Sequence, residues 1–196
     1  MNHLAHIHLS RKYPDLLIGN LIADFLNYKE LKNPKEGLAD GVKLHMMIDH
    51  YTDTHPLVFT YKRLLYPYFG KYSAVLADLL MDHQLAQSWY LYDDRSFEDA
   101  CNSSYDLIIS KLTMVPLPIV IRLENMIKDK WLHSVQYESG FLYALHLLAK
   151  RAKFADDFSD LIPVYLENKI QFDLIFAEFY PELDAYTQLR ASEFQD

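Results

Sequence analysis

Cysteine occurs once in this chain, at Cys101. No disulfide can form within the chain, and a cysteine-built zinc site is excluded. Such usage suits a reducing cytoplasm. Glycine is also scarce, with 5 residues. So few glycines argue against a turn-rich all-β protein and against a loop that cradles phosphates; neither GxGxxG nor a P-loop signature occurs. Positive charge is in deficit: 19 Lys and Arg stand against 27 Asp and Glu, a net charge of −8. Non-specific binding to nucleic acid needs a basic footprint, which the chain as a whole does not have. No window has the length and apolarity of a membrane span. The opening MNHLAHIHLS lacks the basic flank and apolar core of a signal peptide, so the expected location is the cytoplasm.

Common catalytic signatures are missing as well. HExxH and GxSxG do not occur, and no Glu is followed three residues later by His, so the ferritin-like di-iron pattern is absent. Cys101, in DACNSS, has no evident base partner and reads as a packing residue.

What the chain does have is helical periodicity almost throughout. Leu and Ile recur at helical spacing over residues 15–28, and KNPKEG at 32–37 breaks the pattern. Further helices are expected at 38–53, from Pro56 to near Gly70, at 72–92, from Ser96 to about 112, and at 118–131, 137–151 and 159–190. Pro163 is placed in the first turn of the last segment, and Pro181 is expected to kink or split it. Strand-type alternation is nowhere sustained. The expected fold is all-α: a single compact helical domain, residues 1–196, of about eight helices.

Acids and histidines inside apolar helices are the chemical signal. In LHMMIDHYTD, residues 44–53, His45, Asp49 and Asp53 are four apart and share one helix face. His3, His6 and His8 open the chain, Asp24 lies in GNLIADF, and Asp78, Asp82 and His83 lie in one later helix. Buried charge is costly unless paired or metal-bound. Histidine with carboxylate suits a divalent cation such as Mn²⁺, Mg²⁺, Fe²⁺ or Zn²⁺. One helix face cannot encircle an ion, so ligands from several helices are required. Taken singly, each such residue has a plainer reading as a cap, a junction or a solvent-facing group. That reading is preferred for His3, His8, His50, His55, His133 and His146.

The same segments resemble the acyl carrier protein phosphodiesterase family, which is distantly similar to the HD phosphohydrolases. The resemblance rests on NHLAHIHL at 2–9, GNLIADF at 19–25, LHMMIDHYTDTHP at 44–56 and MDHQLAQSW at 81–89. Weaker echoes run through Trp131–Leu132, Tyr137, Gly140 and the LLAKR segment ending at Arg151. It implies an HD-like helical hydrolase, usually supported by Mn²⁺. Such an enzyme cleaves the phosphodiester between the 4′-phosphopantetheine arm and a serine of acyl carrier protein. His6, Asp24, His45, Asp49, Asp82 and His83 fall on matching motif positions and are the expected metal ligands. Asp49 or Asp53 is the expected group that orients the attacking water.

One position departs from the family pattern. Where the family commonly has arginine after the histidine matching His45, this chain has Met46. Methionine cannot clamp a phosphate oxygen, so Lys43 or Arg63 is expected to serve instead. The implied substrate, acyl carrier protein, is itself strongly acidic, and two acidic proteins repel. Docking therefore calls for a local basic patch, for which Lys29, Lys32, Lys35 and Lys43, or Lys150, Arg151 and Lys153, are the candidates. The alternatives are a phosphohydrolase acting on a small phosphate ester or nucleotide, and a helical binding protein without turnover. A purely structural interaction protein ranks last, since it leaves the His and Asp clustering unexplained.

Overall fold

The computed structural model describes residues 1–151 and 158–194, the side chain of Tyr28 excepted. Twelve α-helices and no strand are found among the described residues. Eight are the longer ones: α2 (Pro14–Ile22), α4 (Ala39–Thr54), α5 (Pro56–Phe69), α6 (Ser73–Gln87), α7 (Phe97–Lys111), α8 (Leu117–Lys128), α10 (Glu138–Arg151) and α12 (Lys169–Ser192). The other four have at most 7 residues: α1 (His3–Leu9), α3 (Tyr28–Lys32), α9 (Trp131–Ser134) and α11 (Leu161–Glu167). The all-α reading holds, and the additional elements are short ones that periodicity is poor at detecting. No helix among the described residues is long and apolar enough to cross a membrane.

Three boundaries differ from expectation, each for a local reason. The expected helix over 15–28 ends at Ile22 and gives way to a 3₁₀ turn over Ala23–Phe25. Asn27 then starts a new helix: its side chain accepts from the N–H groups of Lys29 and Glu30, while Glu30 accepts from the N–H of Asn27. The expected 72–92 helix stops at Gln87 and turns through Trp89–Leu91. The final segment divides at Asn168, between α11 and α12, and α12 runs on through Pro181. Proline removes one backbone donor, yet here the surrounding residues Phe179, Tyr180 and Leu183 are fully buried, and packing holds the helix together.

The short helix α1 depends on a distant residue. Isolated helices of this length are not stable in water. Asn2 accepts from the N–H of His3, and Asp82 on α6 accepts from those of Leu4 (2.8 Å) and Ala5 (3.2 Å). The otherwise orphan donors of the first turn are thus satisfied by a carboxylate 78 residues away. Leu4, Ala5, Ile7 and Leu9 are buried in the hydrophobic core, which anchors the other face.

Helices α2 and α4 approach at two glycines. A Cβ added at Gly19 would lie 2.9 Å from the Cα of Gly41 and closer still to the carbonyl oxygen of Leu38. A Cβ at Gly41 would meet the amide nitrogen of Asn20 at 2.8 Å. These neighbours are backbone and cannot swing aside. Only glycine lets the two helices come near enough for a side chain on α4 to reach the backbone of α2. Gly19→Ala is therefore expected to destabilise the protein by about 3 kcal/mol, read as a lowered midpoint in urea unfolding, and to weaken binding of a divalent cation in the same sample.

Candidate metal centre

Three elements bring four chemically useful residues together. α1 supplies His6, the turn after α2 supplies Asp24, and α4 supplies His45 and Asp49, one turn apart. The Nε2 of His45 lies 3.0 Å from Oδ2 of Asp49 and 3.3 Å from Oδ1 of Asp24. The Nε2 of His6 lies 3.3 Å from Oδ1 of Asp49. The two imidazoles stack with centroids 4.2 Å apart. One ligand atom from each of His6, His45 and Asp49 lies within 4.8 Å of the others, a grouping compact enough for one ion.

Asn20 decides which way the histidines face. Its Nδ2 donates to the carbonyl of His6 (3.0 Å) and to Oγ of Ser10 (2.7 Å), so its Oδ1 is left to accept. That oxygen is 2.7 Å from Nδ1 of His6, which must be the donor. His45 Nδ1 is likewise 2.8 Å from the backbone oxygen of Asn20, in the last turn of α2, where carbonyls lack intrahelical partners. Both proton-bearing nitrogens are thus committed away from the site. Burial disfavours the charged form of His6, so its Nε2 carries a lone pair. This nitrogen is buried, has no hydrogen-bond partner, and faces a carboxylate oxygen. Two acceptors pointed at each other repel unless a cation lies between them. Histidine ligands oriented by a hydrogen bond on the opposite ring nitrogen are the usual arrangement at metal sites.

The charges agree. Burial works against a charged His45, but the carboxylates of Asp24 and Asp49 overcome it and hold the imidazole pKa up at about 9. Burial would raise the Asp49 carboxyl, yet the protonated His45, 3.0 Å away, holds it well below the usual carboxylate range. Asp24 is lowered in the same way, chiefly by His45. Without a metal, a proton on His45 supplies the positive charge that two carboxylates demand.

The remaining expected residues stand elsewhere. Asp82 is buried at the start of α1, where it acts as the cap described above; burial pushes its carboxyl up to about 7, against the pull of the two N–H groups. His83 is turned to the other side of α6, with Nδ1 2.7 Å from the carbonyl of Val135 and its ring against Phe141. Asp53 is one turn beyond Asp49 on α4, and its carboxylate is 2.8 Å from Nζ of Lys62. Lys43 pairs with Asp40 at 2.8 Å, and Arg63 is exposed on α5. Lys153 lies outside the described residues. Asn20, the residue that orients both histidines, was not among the candidates. Its cue was present: one amide in the apolar run LLIGNLI, where a polar group requires partners.

Since metal must displace the proton held on His45, binding of Mn²⁺ near pH 7 is expected to release about one proton. Its affinity rises with pH below 9 and falls as pH is lowered, because protons compete. Calorimetric titration in buffers of different ionisation enthalpy measures this directly; release of no proton would contradict the protonation described here.

Comparison with known proteins agrees with the motifs. A family model described as acyl carrier protein phosphodiesterase matches residues 1–183. The acyl carrier protein phosphodiesterase of Pectobacterium atrosepticum is 29% identical over 196 residues, covering 93% of this chain and 95% of that protein. Those of Yersinia enterocolitica and Photorhabdus laumondii are each 26% identical, covering 96% and 92% of this chain and 98% and 92% of their own lengths. No solved structure matches the chain. With residues 1–183 matched by that family model and His6, His45 and Asp49 folded into one compact group, the chain belongs to the acyl carrier protein phosphodiesterase family.

Proposed function

We propose that this chain is a cytoplasmic, divalent-metal-dependent phosphodiesterase. It hydrolyses the bond joining 4′-phosphopantetheine to the serine of holo acyl carrier protein, leaving the apo carrier protein. The observation that carries the metal requirement is the buried, partnerless Nε2 of His6 facing Asp49. Two imidazoles with carboxylates suit a borderline ion, and Mn²⁺ fits this donor set better than Ca²⁺ does. When bound, such an ion makes a water more acidic and withdraws charge from a phosphoryl oxygen.

The chain's own groups divide the remaining work. His6, His45 and Asp49 hold the ion. Asn20 fixes both rings in the tautomer that presents Nε2. Asp24 and Asp49 line the open side, with side chains 44% and 39% exposed. Asp24 sits farther from His6 and is the freer of the two, so it accepts the proton of the attacking water. The two rings themselves are buried, His6 at 1% and His45 at 5% exposure, so water reaches the centre from the carboxylate side. The substrate therefore enters from the Asp24 side.

Incubation of the purified protein with Mn²⁺ and holo acyl carrier protein, read by intact mass, tests the reading. The carrier protein is expected to lose the mass of its phosphopantetheine arm, and EDTA or Asp49→Asn is expected to reduce the rate at least about 100-fold. An unchanged carrier mass with stoichiometric metal bound would instead favour a small phosphate ester as substrate.

A further inference from the structure

The open side of the metal centre offers no cation on α4. Met46, one turn before Asp49 and on its side of the helix, is 57% exposed and uncharged. Lys43 and Lys62 are engaged by Asp40 and Asp53. A positive group does reach this side from a distant part of the chain. The guanidinium of Arg122 on α8 lies over the ring of Phe25, 3.9 Å from its centroid. Phe25 directly follows Asp24 in the 3₁₀ turn that ends α2. The same ring meets His3 edge-on at 5.0 Å, and Nδ1 of His3 is 3.8 Å from the second oxygen of Asp24. A continuous set of contacts thus runs from Arg122 through Phe25, His3 and Asp24 to His45.

Arg11, Arg95 and Arg190 each make an ion pair with a carboxylate. Like Arg63 and Arg151, Arg122 makes no ion pair with a carboxylate among the described residues; it is set apart by lying over the ring that follows Asp24. A guanidinium held over a ring by cation–π attraction spends none of its N–H donors on that contact, so they stay available to an acceptor. Nearby charge does not neutralise it: Asp24 attracts it, while burial and the like charge of Arg151 oppose its ionisation and lower its pKa. A fork of donors held over Phe25 and within electrostatic reach of Asp24 suits a tetrahedral oxyanion, which can share its oxygens between metal and arginine.

We propose that Arg122 grips the phosphoryl group of the substrate, reaching it from the α8 side of the metal centre. This rests on the phosphodiesterase reading, and it assigns to α8 a role for which Lys43 and Arg63 were the sequence candidates. Phe25 serves as the platform that fixes the guanidinium, and His3 buttresses Phe25 from the other edge. Arg122 is exposed on a surface helix, so Arg122→Gln leaves the core untouched.

Titration of inorganic phosphate into the Mn²⁺-loaded full-length protein, followed by calorimetry, tests this independently of turnover. Arg122→Gln is expected to weaken phosphate binding about tenfold while Mn²⁺ affinity is unchanged. The same variant is expected to lower kcat/KM for holo carrier protein by at least that factor. Equal phosphate affinity in wild type and variant would overturn the proposal, as would joint loss of metal and phosphate binding, which would make Arg122 structural. If the wild type releases no phosphopantetheine from the carrier protein, the proposed activity fails, and the phosphate titration still decides the role of Arg122.

Discussion

Asn20 gives its side-chain oxygen to one histidine and its backbone oxygen to another, and the rest of the centre follows from that double commitment. Because Nδ2 of the amide is already used on the His6 carbonyl and Ser10, the amide cannot flip without breaking two buried bonds. The protons of both rings are fixed on Nδ1. Both Nε2 atoms then face the carboxylate of Asp49, and a positive charge between them becomes an energetic requirement. That one amide stands beside Gly19, and the absence of a Cβ there and at Gly41 lets α4 come close enough to use it. Helix packing and ligand tautomer are set at the same crossing.

The helices around this crossing were legible because their periodicity is strong. His45 and Asp49 could be placed on one face from spacing alone, since one helix carries both. His6 and Asp24 entered through the quoted motifs, and the structure puts both beside His45 and Asp49. Spacing could not reveal α1, whose first turn is completed by a carboxylate from α6. Asp82 is the instructive case. An acid in an apolar helix reads equally as a ligand or as a cap, and only the tertiary fold shows backbone N–H groups at its oxygens. His83 presented the same ambiguity; in the fold its Nδ1 meets the Val135 carbonyl, and it is not grouped with His6, His45 and Asp49 among the described residues. Arg122 carried no local signal at all, because its significance lies in a ring 97 positions earlier in the chain, Phe25.

The balance of charge acquires a meaning at this centre. An acidic chain that acts on an acidic carrier protein must concentrate its attraction where the phosphate enters. Two carboxylates with a divalent ion leave little net charge, so a phosphodiester gains from a further cation nearby. Arg122 with Arg151 provides positive potential on the α8 side, and Lys29 follows Asp24 closely in sequence on the exposed helix α3. The pantetheine arm is long and uncharged, so a centre near the surface suffices, and the buried face of the histidines is free to belong to the core.

The central claim is that a divalent ion sits between the Nε2 atoms of His6 and His45 and the carboxylate of Asp49. Anomalous diffraction from crystals of the Mn²⁺-loaded protein tests it most directly. The account predicts a manganese peak bonded to both Nε2 atoms and to Asp49, with Asn20 still hydrogen-bonded to both Nδ1 atoms. A peak held instead by Asp82 and His83, or no peak in a protein that hydrolyses the carrier protein, would contradict it.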